Sequence, residues 1–332
     1  MADAPGAAAR PGRFASLLGL LDPRRQTLVQ THDYPDIDAV ASAWALSELL
    51  ALHGIESVCV HRGEIRSRSL VRLLSELDLR IAAAPPPGAS PNIIVVDGSP
   101  TNGNVELFRG DLLAVIDHHR KVAEPSAPFV DIRTEVAACA TIVRSYWEES
   151  GKVPPRDTAT ALLAGIQSDT DFLSSRASTA DFEAYIELFR AGDWELASRT
   201  VKSVLSIGEL GSIQRAIRDA DIRDRIFYAI VPDSCAQEVL AVLADFALRV
   251  EDIDVAVTVA AEADGGAHVS IRSKNPGISA FRIVREALAG IGSGGGHSHS
   301  AGGIVAAVSN PGPQALKKRF FSVAAAAAQT LG

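Results

Sequence analysis

Cysteine, methionine and aromatic residues are scarce in this chain, and there is no excess of positive charge. Three cysteines in 332 residues, Cys59, Cys139 and Cys235, lie far apart in apolar surroundings. The count excludes a disulfide-built scaffold and the spacing excludes a thiolate metal site, so they read as buried small hydrophobes. Lys and Arg number 32 against 40 Asp and Glu, a formal charge of −8. Such a field does not grip long nucleic acid, although a local basic cleft stays compatible with it. Long apolar runs are missing too. In the N-terminal stretch MADAPGAAARPGRFASLLGLLDPRR the apolar core runs only from Phe14 to Leu21. That is too short to span a membrane and lacks a signal-peptide layout. The reading is a cytoplasmic protein with no membrane partner and a flexible leader over residues 1–25.

The length is sufficient for two domains with cores of their own. From Gln26 onward, apolar strand-like runs alternate with helix-period segments: Thr27 to Thr31, Ser57 to His61, Asn92 to Val96 and Leu112 to Ile116 read as strands. Continuous apolar strands between amphipathic helices indicate a parallel sheet covered on both faces. Helices are expected over Glu135 to Glu149, Asp157 to Gln167 and Thr179 to Arg190. The polar, helix-prone stretch 194–224 reads as a connector helix. Beyond it, strands near Arg225 to Val231, Asp254 to Ala260 and Ala267 to Ser273 alternate with helices near Ser234 to Leu248, Ser279 to Ala289 and Gln314 to Gln329. The fold class is therefore α/β: a parallel-sheet domain over 26–193, and a smaller α/β domain over 225–332.

The chemistry-bearing residues fall at the ends of the apolar runs. THDYPDIDAVAS sets His32, Asp36 and Asp38 on one short turn. Val95-Val96-Asp97, then Val115-Ile116-Asp117-His118-His119, then Gly165-Ile166-Gln167-Ser168-Asp169-Thr170 follow in order. Any one of these acids alone reads equally well as a surface turn or helix N-cap. Together they offer a complete set of oxygen and imidazole ligands for a divalent cation, and in a parallel sheet the carboxyl ends of the strands bring them to one place. In the second domain, Gly292-Ser-Gly-Gly-Gly-His297-Ser-His-Ser-Ala-Gly-Gly303 reads as a loop whose backbone can approach an anion. A plain flexible linker would not carry His297 and His299, nor have Arg272 upstream. His53, His61 and His268 read as packed or exposed structural residues.

The order HDYPDID, VVD, DHH and GIQSDT, followed by a separate domain with GGGH, resembles the DHH phosphoesterase superfamily with its DHH-associated C-terminal domain. The resemblance covers about Gln26 to Leu331. Its two-domain size is similar to the nanoRNase/pAp phosphatase and cyclic-dinucleotide phosphodiesterase branch, with RecJ exonucleases and family II pyrophosphatases more distant. The resemblance implies one metal at His32, Asp36 and Asp97, and a second at Asp38, Asp97, His118 and Asp169, with Asp97 shared. It implies two Mn2+ ions, with Mg2+ as the alternative, activating water for in-line attack on phosphorus. His119 would face the scissile phosphate, Asp117 would act behind it, and Arg272, Ser273, Gly294, Gly295, Gly296 and His297 would hold substrate phosphate. Asp171 and Leu173 depart from the glycine and arginine usual in relatives, which bears on substrate identity more than on chemistry. The expected function is hydrolysis of short nucleotides: oligoribonucleotides, linear or cyclic dinucleotides, or pAp. The competing readings are a RecJ-like single-strand exonuclease and a non-catalytic nucleotide sensor. Expected partners are the short nucleotide substrate and no long nucleic acid, with a homodimer compatible.

Overall fold

The computed structural model describes residues 12–65, 67–87, 90–202, 205–232 and 237–329. Two compact units divide the chain, Met1–Ser203 and Val204–Gly332. The first carries α1 (Arg13–Leu18), β1 (Thr27–Gln30), α2 (Ile37–Ala51), β2 (Ser57–Val60), α3 (Arg68–Glu76), β3 (Asn92–Val96), β4 (Asp111–Asp117) and β5 (Phe129–Ile132). It continues with α4 (Cys139–Glu149), α5 (Arg156–Thr170), α6 (Thr179–Ala191) and α7 (Trp194–Lys202). All five strands are parallel, in the order β2-β1-β3-β4-β5. Every residue of β1 and β3 is buried, as strands covered on both faces require. The order reverses between β1 and β3, so the crevice beyond their carboxyl ends is the topological switch point where such sheets bind ligands.

The first core packs Val29, Ile94, Val96 and Ile116 of the sheet against Leu46, Leu49, Tyr146, Trp147 and Leu162 from the helices. Helix α5 is buried along most of its length, and Ala159, Ala161, Ala164 and Gly165 keep it slim enough to lie among its neighbours.

Several boundaries differ from those expected. Helix α4 starts at Cys139, not Glu135, because its first amides are capped from far away: Cys139 N and Ala140 N donate to the Asp38 carboxylate. Helix α5 runs on to Thr170, where Asp171 in the left-handed conformation (φ 44°) ends it. The connector is two helices rather than one. Helix α7 belongs to the first unit, and a capping box between Ser206 and Glu209 starts a new helix in the second. The leader is docked where it is described: Phe14 and Leu17 of α1 are buried, and Phe14 stacks on Tyr146 at 5.8 Å between ring centres. Residues 1–11 of the expected leader lie outside the described residues. Cys59 and Cys139 are buried free thiols, and Cys235 lies outside the described residues.

The second unit carries α8 (Ile207–Arg218), β6 (Asp221–Arg223), β7 (Ile226–Val231), α9 (Gln237–Ala247), β8 (Val255–Ala261), β9 (Ala267–Ser273), α10 (Ala280–Leu288), β10 (Gly292–Gly296), β11 (Ser300–Val305) and α11 (Pro313–Gln329). Its sheet is mixed, in the order β10-β11-β9-β8-β7-β6, with β7 and β8 parallel. Helices α10 and α11 cover one face through Ile283, Val284, Leu316 and Phe320; α8 and α9 cover the other through Ile213, Ala216, Val239, Leu240 and Leu243.

The glycine-rich stretch is not a loop. Gly292–Gly296 and Ser300–Val305 form an antiparallel hairpin whose second strand pairs with β9. The glycines serve packing: a Cβ at Gly294 would lie 2.6 Å from Val284 Cγ2, and one at Gly303 would lie 2.4 Å from Leu288 Cδ1. Without side chains there, the hairpin lies flat against α10. Among the described residues, no helix is long and apolar enough to cross a membrane.

Candidate metal centre

Three strand ends and one helix end supply the site. The turn after β1 carries His32 and leads through Asp36, the N-cap of α2, to Asp38 in its first turn. Asp97 follows β3 directly in the left-handed conformation (φ 59°), and its N–H donates to Ile116 O at 2.9 Å. A non-glycine residue held there is strained, a cost that proteins concentrate at functional sites. Gly98 then lets the chain pass His32: a Cβ on it would lie 3.0 Å from His32 Cβ. Asp117 ends β4, followed by His118 and His119. Asp169 comes from the last turn of α5.

The structure brings six of these side chains together. Asp97 faces two ways: its Oδ2 lies 3.7 Å from His32 Nε2, and its Oδ1 lies 3.2 Å from His118 Nε2. On the first side, Asp36 Oδ1 lies 3.8 Å from His32 Nε2. On the second, Asp169 Oδ2 and Asp38 Oδ2 lie 3.5 and 4.0 Å from His118 Nε2. Two groups of donor atoms result, His32–Asp36–Asp97 and Asp38–His118–Asp169, each drawn within 4.8 Å. A third group joins Asp97, His118 and His119.

Most of these separations are too long for hydrogen bonds. They match the gap between ligands that each stand about 2.1 Å from a common ion. Among the described residues, Asp97 Oδ1 is buried and accepts no hydrogen bond, which is costly unless a cation meets it. The donor set, carboxylate oxygen and imidazole nitrogen without sulfur, suits manganese or magnesium. The residues therefore fit a divalent-cation centre.

The electrostatics agree. Burial, with the charges of Asp97 and Asp36, drives Asp38 well above the ordinary carboxyl range. Asp169 is driven up in the same way, by burial and by Asp38, Asp36 and Asp97, with Arg176 opposing. Burial works against the imidazolium of His32, but Asp36 and Asp97 outweigh it and hold the ring at about 10. Crowded carboxylates of this kind are what bound cations relieve.

Asp117 has a different task. Its Oδ1 accepts His118 N at 2.8 Å, His119 N at 3.1 Å and His119 Nδ1 at 2.8 Å. The His119 ring is thus locked through Nδ1, 3.7 Å from Asp97 Oδ1, with its side chain 29% exposed. Burial opposes the charged ring, yet Asp117 and Asp97 raise it to about 9.

Parts of the site carry no signature in the motifs. The amides of Cys139 and Ala140 reach Asp38 Oδ2 and Oδ1 at 2.6 and 2.9 Å, and any residue can supply an amide. Arg176, in the left-handed conformation after α5, is the cation whose field reaches Asp169, three positions beyond Leu173. Its signal in the sequence was a lone arginine in a serine-rich turn.

The expected substrate residues of the second unit meet at one end of its sheet. Ser300 pairs with Arg272, Ser273 N donates to His299 O at 2.8 Å, and the His297 and His299 rings stack at 5.9 Å. Arg272 binds Asp245 at 2.9 Å and Ser270 Oγ at 3.1 Å, so it is a paired arginine. Gly294, Gly295 and Gly296 are strand residues opposite Gly303, Gly302 and Ala301. His53 is exposed and edges the Phe14 ring, His61 is buried, and His268 pairs with Glu262 at 3.2 Å.

Fold and site together define a two-unit α/β protein with an oxygen-and-imidazole divalent-cation centre at a switch point. The profile of the DHH family, N-terminal domain, matches residues 26–166, and that of the DHHA1 domain matches residues 223–325. The chain carries a DHH-family N-terminal domain joined to a DHHA1 domain. An uncharacterized protein of Methanocaldococcus jannaschii is 30% identical over 307 residues, 88% of this chain and 61% of that protein. A probable manganese-dependent inorganic pyrophosphatase of Shouchella clausii is 30% identical over 162 residues, 47% of this chain and 51% of that protein. This chain thus spans less than two thirds of the length of either relative. Among solved structures, an exopolyphosphatase-related protein from Bacteroides fragilis has a TM-score of 0.66 at 14% identity, covering 90% of this chain and 94% of that one. RecJ of Thermus thermophilus in complex with Mn2+ has a TM-score of 0.55 at 18% identity, covering 96% of this chain and 54% of that one. Both likenesses show the fold.

Proposed function

We propose that this protein is a two-metal phosphoesterase that hydrolyses short nucleotides, such as di- and oligoribonucleotides, cyclic dinucleotides or pAp. The observation that carries this reading is the arrangement around Asp97, whose two oxygens face two separate donor groups 3.2 and 3.7 Å away. His32 and Asp36 would hold one ion, Asp38, His118 and Asp169 the other, and Asp97 both. Bound divalent ions, manganese by preference, supply charge for the phosphoryl oxygens and lower the pKa of the attacking water. The chain's own residues do the rest. Asp117 holds the His119 ring in one orientation, and His119 donates to a phosphoryl oxygen or to the leaving group. Arg272, Ser273 and His297 of the second unit would bind a substrate phosphate. The chain's own serine, cysteine and lysine side chains are not needed as nucleophiles.

Two alternatives have observations in their favour. The pyrophosphatase relative favours inorganic pyrophosphate as substrate, through a match that lies on about half of this chain. The RecJ fold likeness favours a single strand degraded from one end. The charge of −8 weighs against the second. A non-catalytic sensor is disfavoured because every donor position is filled. The deciding experiment measures turnover of pAp, pGpG, pApA, cyclic dinucleotides and inorganic pyrophosphate with Mn2+, with Mg2+ and after chelation. Mn2+-dependent turnover of a short nucleotide above pyrophosphate is expected. Faster turnover of pyrophosphate than of any nucleotide, or indifference to chelation, would overturn the proposal.

A further inference from the structure

The two donor groups are built unequally. Asp36 is an open side chain, 52% exposed, at the N-cap of α2, with Oδ1 bonded to Ala39 N at 3.0 Å. Asp38, two residues on, is fully buried. Cys139 N meets its Oδ2 at 2.6 Å; Ala140 N and Ser42 Oγ meet its Oδ1 at 2.9 and 3.4 Å. Both amides belong to the first turn of α4, whose N-cap Ala138 has no side chain able to cap the helix. Asp38 therefore caps α4 from another element, and the positive end of that helix offsets the charge that burial and its neighbours make costly.

Gly165 closes the arrangement from the other side. It lies mid-way along α5, in a buried position where glycine weakens a helix relative to alanine. A Cβ there would stand 2.8 Å from Asp38 Oδ1, 3.1 Å from Ala140 Cβ and 3.3 Å from Asp38 Cα. The carboxylate could not yield without losing its amides, because its own backbone is also against the glycine. Gly165 sits four residues before Asp169, so one helix both supplies a donor and leaves room for another.

We infer that Gly165 and the amino end of α4 are positioning elements for Asp38, and that they make Asp38–His118–Asp169 a preset, enclosed cation site distinct from the open one at His32–Asp36–Asp97. The inference rests on the two-metal reading above. The enclosed site takes its divalent cation first and releases it slowly. The open site, with half-exposed Asp36, fills second and exchanges freely. Any loss of the clamp falls on one site only.

The test is Mn2+ titration of the metal-stripped full chain without substrate, by calorimetry and by the electron paramagnetic resonance of free Mn2+, beside thermal unfolding. Wild type should bind Mn2+ in two classes. Gly165→Ala should weaken the tighter class by roughly 10–100-fold, the usual cost of disturbing the groups behind a ligand, and leave the weaker class in place. Asp36→Asn should do the reverse. The double variant Gly165→Ala/Ala140→Gly relieves the contact with Ala140 but keeps the one with Asp38. Its unfolding temperature should return toward wild type while the tighter class stays weak. Recovery of Mn2+ affinity together with stability would overturn the positioning role, as would unchanged binding in folded Gly165→Ala. Failure of wild type to bind Mn2+ would instead sink the two-metal reading itself.

Discussion

At the residue scale, Asp97 carries more of the site than any other side chain. Its left-handed backbone, its buried Oδ1 and its two-sided contacts place it between the donor groups. Asn tolerates that backbone conformation, so Asp97→Asn keeps the fold while removing the shared charge. We expect its hydrolysis to fall by more than the roughly 10–100-fold typical of losing a group behind a ligand, with the circular dichroism spectrum unchanged. Wild-type-like turnover with unchanged metal content would remove Asp97 from its assigned role. Asp117 makes a contrasting case, because it bonds His119 and two backbone amides and stands apart from the donor groups. Asp117→Asn should lower kcat while leaving Mn2+ stoichiometry as in wild type, a split that comparison of turnover with metal analysis measures.

At the scale of elements, the docking of α1 depends on a charge. Asp131 on β5 accepts from Arg133 at 2.8 and 3.1 Å and from Tyr146 Oη at 2.7 Å, and pairs with Arg13 of α1 at 3.0 Å. Burial alone would raise this carboxyl; Arg133, Arg13 and Tyr146 outweigh it and bring it to about 2. A folded-state pKa below the unfolded one contributes stability that is complete above the ordinary carboxyl range and is lost as pH falls through about 2. Urea unfolding between pH 5 and pH 2 should show a loss of about 1–2 kcal/mol from this group. Asp131→Asn should flatten the profile in that window, and an unchanged slope would refute the assignment. The hairpin of β10 and β11 depends instead on missing side chains. Gly303→Ala places a Cβ 2.4 Å from Leu288 Cδ1 and 2.9 Å from Val284 Cγ2. Such overpacking costs about 1–3 kcal/mol, measurable by chemical denaturation.

For the whole molecule, labour is divided between the units in the proposed function: metal chemistry in the first, binding of a substrate phosphate in the second. Arg272→Ala should then raise KM for a dinucleotide with little change in Mn2+ binding, since weakened ground-state binding appears as KM. Loss of metal in that variant would contradict the division. The charge of −8 offers little attraction for phosphates beyond those held at the site. We expect kcat/KM to fall as an oligoribonucleotide lengthens from a dinucleotide to ~10 residues, within the span of a typical single-strand-binding fold. Rates flat or rising along that series at fixed salt would favour the exonuclease reading.

The inventory of donors was legible in the sequence because metal chemistry demands particular side chains, and a parallel sheet sends its strand ends to one side. The resemblance to the DHH superfamily narrowed the candidates to His32, Asp36, Asp38, Asp97, His118 and Asp169, and the strand Asn92 to Val96 could be placed, since an unbroken apolar run admits few other readings. Only the tertiary structure decided how those donors are held. The clamp on Asp38 is made of backbone amides, which every residue type supplies, and it joins residues about a hundred positions apart. The start of α4 followed from that same remote cap and not from local sequence. Composition pointed Gly292 to Gly303 toward a loop because glycine has little strand preference of its own. Pairing with β9 and close packing on α10 made a hairpin of it, and neither leaves a trace in the order of residues along the chain.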